Sequence, residues 1–173
     1  MIVIMKELFV YILIFILAFT IHEFEEILYL PRWLDKNIKN NLLEEKVKSK
    51  FFHKVISHMN TTKFGLIVLE EYVLLIVILI YITISENNIL FVGILLGYTF
   101  HIIVHVVQTL ILKKYIPGFF TSLISGIVST LLTCIIIKKS NLVVIDILIT
   151  TICVFSIIII NLLICHVLVR NVK

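Results

Sequence analysis

The chain has 173 residues, 61% of them hydrophobic, and a mean hydropathy of +1.16. A soluble domain of this length has no use for so much apolar surface, so the composition excludes a soluble globular protein and indicates an integral membrane protein. The net charge of +4 becomes informative only through its distribution. Cys134, Cys153 and Cys165 stand singly in apolar runs without a CxxC spacing, so we interpret them as packing residues without a redox role.

Five apolar stretches reach the length of about 20 residues that a helix needs to cross a bilayer. The first follows Lys6 as a signal peptide would, but no small-residue cleavage site comes after it, and we interpret it as a retained helix. Pro31 is predicted to end this helix, because the residue before a proline avoids helical geometry. The predicted spans are residues 8–30, 64–84, 89–112, 116–137 and 142–169.

Short connectors at 85–88, 113–115 and 138–141 join the last four spans and make consecutive helices antiparallel neighbours. Lysine and arginine concentrate in residues 32–63, in 113–115 and after 169, which leaves Lys6, Lys138 and Lys139 on the opposite side. Cytoplasmic loops carry the excess of basic residues. The predicted fold is therefore all-α, a single polytopic membrane domain over residues 1–173, oriented N-out and C-in, with the Lys138–Lys139 pair as a dissenting signal.

The long connection, residues 32–63, has a four-residue apolar repeat among its lysines. This spacing predicts a basic amphipathic helix on the anionic inner leaflet, and a solvated loop is the alternative. His53 and His58 in this loop are interpreted as surface residues. The repeat consists of Leu43, Val47, Phe51, Val55 and Met59.

Carboxylates and imidazoles from three predicted spans lie at similar depths, roughly 6–16 Å from the inner end at 1.5 Å of rise per residue. A charge near the bilayer centre costs roughly 2.5–3.5 kcal/mol, so a whole layer of ionisable groups requires a functional explanation. Asp146, near the outer end of the last span, is interpreted as interfacial, and His166, near its inner end, can reach water. The members of the layer are His22, Glu23, Glu25, Glu26, Glu70, Glu71, His101 and His105.

Helical spacing places His22, Glu25 and Glu26 on one face, and His101 and His105 on one face of another helix. No lysine or arginine lies at this depth, so a bound cation is the natural source of the missing positive charge. The sequence thus predicts a divalent metal, with zinc favoured and one or two iron ions as the alternative. The predicted ligands are His22, Glu26, Glu70, Glu71, His101 and His105.

The segment "HEFEE" has the spacing of two zinc-hydrolase motifs, HExxH and HxxEH, with glutamate in place of one histidine. In both interpretations His22 and Glu26 are ligands. The base that activates water is then Glu23 in the first motif and Glu25 in the second. Both glutamates are therefore candidate catalytic residues.

"HEFEE", the Glu70–Glu71 pair and "HIIVH" (101–105) occur in an order that resembles the HXXEE-motif family of bacterial integral membrane proteins. The resemblance covers residues 22–105 directly. It implies a multi-pass protein of the bacterial cytoplasmic membrane with an enzymatic or metal-binding role, and it implies no particular substrate.

We therefore expect a metal-dependent membrane enzyme that hydrolyses a lipid, isoprenoid or peptide bond in the inner half of the membrane. The expected partners are membrane lipids and an amphiphilic substrate, with no nucleic acid. Three alternatives stay open: a di-iron carboxylate oxidoreductase, a metal or proton transporter or binding protein, and a cluster that only forms hydrogen bonds between helices.

Overall fold

The structure, a computed structural model, describes residues 2–39 and 59–169, and within these ranges it contains five α-helices and no strand. All five are long and apolar enough to cross a membrane, which confirms the predicted all-α bundle. The N-out orientation stays a prediction. The predicted amphipathic repeat, apart from Met59, and His53 and His58 lie outside the described residues. The helices are α1 (Ile2–Lys39), α2 (Thr61–Ser85), α3 (Asn88–Leu112), α4 (Phe119–Lys139) and α5 (Val144–Val169).

The first helix is longer than expected. The prediction that Pro31 ends it is wrong, because α1 continues to Lys39. A proline inside a helix removes a backbone hydrogen bond and costs about 3 kcal/mol. The turns beyond Pro31 offset this cost by packing, since Trp33 contacts the cluster of buried Leu112 and Ile116 at the start of the α3–α4 connection.

Asparagine side chains cap the starts of α2 and α3. Asn60 accepts a hydrogen bond from the Lys63 backbone N–H at 2.8 Å, and Asn87 accepts one from Leu90 at 3.0 Å. Each side chain satisfies an N–H that has no partner within its helix. Glu86 ends α2 in the left-handed region, with φ of 53°. The segment "SENN" is therefore a tight turn, as predicted.

The five helices form a ring in which each helix packs mainly against two others. α3 packs most extensively against α4 and α5, whereas α1 packs against α4 and α2. α2 also packs against α5, so each helix has two main neighbours. α1 and α3 are not adjacent in this ring, and their side chains meet in the interior of the bundle, where His22 of α1 reaches His101 of α3.

The aromatic core lies directly beside those residues. Phe15 packs edge-on against Phe91 and Tyr98, with ring centroids 6.1 and 5.4 Å apart. Tyr98 in turn has its ring centroid 6.1 Å from those of both His22 and His101. The polar layer is therefore bounded on this side by closely packed rings.

Glycines allow α3 and its neighbours to approach closely, as the Gly93-x-x-x-Gly97 spacing suggests. A Cβ at Gly93 would lie 2.9 Å from Thr150 Cγ2 of α5, closer than atoms in contact can pack. A Cβ at Gly97 would meet Val154 at 3.7 Å, an ordinary van der Waals distance. The two positions therefore differ in how much volume they tolerate.

Gly93→Ala is expected to lower the free energy of unfolding by about 1–3 kcal/mol, because the added methyl overpacks the α3–α5 interface. Gly97→Ala, one turn away on the same helix, is the matched control and should change stability by less than about 0.5 kcal/mol. Denaturation in mild detergent, followed by circular dichroism, measures both. Equal effects of the two substitutions would contradict the packing described.

Candidate metal centre

Three histidine side chains from two helices converge in the interior of the bundle. His22 comes from α1 and is 0% exposed, while His101 and His105 lie one turn apart on α3. His101 Nε2 lies 3.4 Å from His22 Nε2 and 3.0 Å from His105 Nε2. One ring nitrogen from each histidine lies within 4.8 Å of the others. These three residues are called the histidine cluster below.

A carboxylate completes the cluster. Glu26 is 4% exposed, and its Oε1 lies 3.1 Å from His105 Nε2 and 4.0 Å from His22 Nε2. This oxygen is buried and makes no hydrogen bond. Buried polar atoms nearly always have a partner, and an ion is one of the recognised explanations when a protein partner is absent. The three imidazole nitrogens thus lie together, and Glu26 Oε1, which accepts no hydrogen bond, faces His105 and His22 at the edge of the cluster.

The spacing of these atoms suits a small divalent cation. Zinc binds histidine nitrogen at about 2.0–2.1 Å, which places tetrahedral ligand atoms about 3.3 Å apart. Three of the distances, 3.0, 3.1 and 3.4 Å, are close to that separation, whereas Glu26 Oε1 and His22 Nε2 are 4.0 Å apart. The donor set, three imidazoles and one carboxylate, is also one that zinc and iron accept. His22, Glu26, His101 and His105 therefore fit a metal ion.

A hydrogen-bond relay orients His22 from the other side. The Thr121 hydroxyl donates to Glu25 Oε2 at 2.7 Å, so its oxygen is left to accept from His22 Nδ1, 3.1 Å away. His22 is then protonated on Nδ1, and its Nε2 lone pair points into the cluster. Such outer hydrogen bonds fix the tautomer and orientation of metal-binding histidines.

Tyr115 anchors the outer end of this relay. It lies in the α3–α4 connection and donates its hydroxyl to Glu25 Oε1. Partial burial and this hydrogen bond raise the pKa of the Tyr115 phenol to about 12. Tyr115 therefore stays protonated near neutral pH, and both oxygens of Glu25 are occupied by hydroxyl donors.

The same connection brings backbone against Glu26. Gly118 precedes α4 with φ of +93°, and a Cβ there would lie 2.7 Å from Glu26 Oε1. Only glycine combines this backbone conformation with such a close approach. The turn at Pro117 and Gly118 also explains why α4 begins at Phe119, three residues after the predicted start at Ile116.

Thr121→Val, which keeps the shape of the side chain, is expected to weaken metal binding about 10–100-fold, because His22 loses the acceptor that sets its tautomer. Thr121→Ser retains the hydroxyl and is the matched control, with affinity close to that of the wild type. Competition with a fluorescent zinc chelator measures the dissociation constants. Unchanged affinity in Thr121→Val would show that the relay does not orient His22.

The structure brings together four of the six predicted ligands and places the other two beside α5 and α1. Glu70 is exposed, and its Oε2 accepts hydrogen bonds from Asn161 at 2.7 Å and from the Cys165 thiol at 3.0 Å, both on α5. Glu71 is half-buried and lies within electrostatic range of Glu23. Glu70 is thus engaged away from the histidine cluster.

The two candidate bases differ in their surroundings. Glu23 is buried and lies within electrostatic range of Glu26 and Glu71. Glu25 is half-buried and contacts His22 only through Thr121. His166 is half-buried at the end of α5 and Asp146 is exposed in its first turn, and neither belongs to the cluster.

Sequence reasoning missed Tyr115, Gly118 and Thr121, because all three lie in a connector and a helix start without ionisable residues of the expected kinds. The "PG" pair at 117–118 was the available signal, since Pro–Gly marks a turn with special backbone geometry. It did not indicate which helix the turn would cover.

A comparison with known protein families identifies the family of this chain. Residues 13–137 match the family described as "Protein of unknown function with HXXEE motif". No curated protein and no solved structure matches the chain. The match spans well over half of the sequence and includes His22, Glu25 and Glu26 as well as the later Glu–Glu and histidine motifs. The protein belongs to the HXXEE-motif family.

Proposed function

We propose that the protein is a metal-dependent enzyme of the bacterial cytoplasmic membrane that hydrolyses an amphiphilic substrate, a lipid, isoprenoid or peptide, in the inner half of the bilayer. The observation that carries this proposal is the convergence of three imidazole nitrogens with the buried, unpartnered oxygen of Glu26. A divalent cation held there would supply the positive charge that activates water and polarises the bond to be cleaved.

One zinc ion is the metal that this arrangement supports best. The imidazole nitrogens of His22, His101 and His105 lie within 4.8 Å of one another, and Glu26 Oε1 lies 3.1 Å from His105 Nε2. Zinc held by these four groups would take water as a fifth ligand, since zinc can expand to five-coordinate. A dinuclear iron centre needs further bridging carboxylates, as in the bundles that carry Glu-x-x-His pairs. Glu70 is bound to α5 instead, which weakens the di-iron alternative.

The carboxylates of the "HEFEE" segment take different roles in this proposal. Glu23 is the better candidate for the general base, because it is buried near Glu26 without the hydroxyl donors that occupy Glu25. Glu25 positions His22 through Thr121. The motif therefore functions as His22-Glu23-x-x-Glu26, with Glu25 as a positioning residue.

Metal or proton transport is the alternative. The aromatic layer of Phe15, Phe91 and Tyr98 is packed against the histidine cluster, which argues against a polar route through the bundle there. The buried hydroxyls of α4 also have partners: Ser129 donates to Leu95 O at 2.8 Å and Thr133 to Ser129 O at 2.9 Å. The first of these bonds joins α4 to α3, the second lies within α4, and both favour a closed site because they leave these hydroxyls with partners.

The test is zinc-dependent incorporation of oxygen-18 from labelled water into lipid or peptide fragments. The zinc-loaded protein is incubated in vesicles of total bacterial lipid, with a peptide mixture added in a second series, and products are identified by mass spectrometry. We expect labelled products with the wild type and none with His105→Ala. Products without the label, or none with either protein while zinc accumulates in sealed vesicles, would overturn hydrolysis.

A further inference from the structure

A cleft of about 410 Å³ opens beside the candidate metal centre, between α1 and the α3–α4 connection. Its lining is mostly apolar and aromatic, with one carboxylate: Glu25, Tyr29, Trp33, Tyr115 and Pro117. Tyrosine and tryptophan concentrate where a membrane meets water, because their rings are apolar and their polar atoms can reach the headgroups. The lining therefore has the kind of residues that are common at the level of lipid headgroups.

Four cations lie on the two segments that form this cleft, close in sequence to its lining residues. Arg32 and Lys36 lie on the same face of α1 as Glu25 and Tyr29, since the four residues span about 60° at 100° per residue. Across the cleft, Lys113 and Lys114 directly precede Tyr115, and Lys114 Nζ reaches to 3.4 Å from Asn37 Oδ1 of α1. All four are exposed, and together they form what is called the basic rim: Arg32, Lys36, Lys113 and Lys114.

The basic rim has more cations than this part of the protein has carboxylates. Glu25 has both oxygens bound by the hydroxyls of Tyr115 and Thr121, which face it from the connection and from α4. Asp35 is the other acid on this stretch of α1 and is exposed. Two acids therefore face four cations, and a basic residue near a membrane surface attracts anionic lipid by about 1 kcal/mol.

We propose that this cleft binds one anionic phospholipid, with its phosphate at the basic rim and the start of its acyl chains against Tyr29, Trp33 and Pro117. As the substrate class of the hydrolase, this inference rests on the proposed function. The cleft is joined to the metal centre by its wall, since Glu25 bonds Thr121 and Thr121 bonds His22. A lipid seated there lies within two side-chain contacts of a proposed ligand.

Trp33 makes the inference directly testable, because it is the single tryptophan of the chain and lines the cleft. The full-length protein is reconstituted in phosphatidylcholine vesicles that contain dibrominated phosphatidylglycerol or, at the same low mole fraction, dibrominated phosphatidylcholine. Bromine quenches tryptophan emission at short range. We expect several-fold stronger quenching by phosphatidylglycerol, with saturation at low mole fraction.

Charge variants separate the cleft from general attraction to the membrane. Arg32→Gln/Lys113→Gln removes two rim charges and should abolish the excess quenching by phosphatidylglycerol. Lys6→Gln/Lys138→Gln removes two charges at the other end of the bundle and should retain it. Equal quenching by the two lipids, or equal losses in the two double variants, would overturn the proposal.

The experiment does not depend on the metal, so it is repeated with His105→Ala. If the excess quenching persists in that variant while the zinc-loaded wild type gives no labelled hydrolysis product, the lipid site stands and the proposed reaction fails. If labelled products form but quenching shows no preference, the reaction stands and anionic phospholipid is the wrong substrate class.

Discussion

His105→Ala is expected to weaken zinc binding by at least about 100-fold, because it removes one of four ligands, a larger change than the loss of an outer hydrogen bond. The stabilisation conferred by zinc should disappear with it. At a free zinc concentration 100 times the wild-type dissociation constant, that stabilisation amounts to about 2.7 kcal/mol. Elemental analysis measures the bound metal, and thermal unfolding with and without zinc measures the stabilisation.

His166→Ala is the matched control for this prediction. His166 is a half-buried histidine of α5 that lies outside the histidine cluster, so its replacement should leave zinc content and zinc-dependent stabilisation unchanged. Equal zinc in His105→Ala and His166→Ala would rule out the cluster as the binding site. A comparison within the "HEFEE" segment extends the test: Glu26→Ala should lose the metal, whereas Glu25→Gln, which can still accept from Thr121, should keep it.

Gly118→Ala is expected to have the second large effect. The left-handed conformation, with φ of +93°, costs a residue with a Cβ about 1–3 kcal/mol. The new methyl would also lie 2.7 Å from Glu26 Oε1 and must displace that carboxylate. The substitution should therefore lower both the unfolding free energy and the zinc affinity, as measured by thermal unfolding and by chelator competition.

Gly65→Ala provides the comparison for a glycine without these constraints. Gly65 lies in α2, and the nearest atom to an added Cβ is Ile27 Cγ2 at 4.0 Å. Alanine should be neutral there or stabilise the helix by up to about 1 kcal/mol. Zinc affinity in Gly118→Ala equal to that in Gly65→Ala would show that the α3–α4 connection does not shape the site.

The helical bundle could be predicted because bilayer thickness sets the length of an apolar segment, and all five segments meet it. The end of α1 could not. The rule that proline stops a helix is local, whereas the packing of Trp33 against Leu112 and Ile116 depends on where the α3–α4 connection folds. A tertiary contact thus overrode a local preference.

The candidate site, like the fold, was predicted in part from the sequence and depends in part on tertiary contacts. His22, Glu26, His101 and His105 could be grouped from depth and helical spacing alone, since the rise per residue fixes both. Glu70 and Glu71 share that depth, but depth does not reveal which neighbour a helix faces, and α2 turns Glu70 towards Asn161 of α5. The α3–α4 connection and the first turn of α4 contribute Tyr115, Gly118 and Thr121. A connector has no helical periodicity, so the sequence pattern did not predict where these residues would lie.

The most direct test of the account is the metal content of the protein purified in mild detergent without chelators or metal-affinity resin. We predict one zinc per chain, with an X-ray absorption spectrum of three imidazoles and two oxygen ligands, one from Glu26 and one from water. The absence of bound metal, even after incubation with Zn²⁺, Fe²⁺ and Mn²⁺, would contradict the account and leave His22, Glu26, His101 and His105 as a hydrogen-bonded cluster between helices.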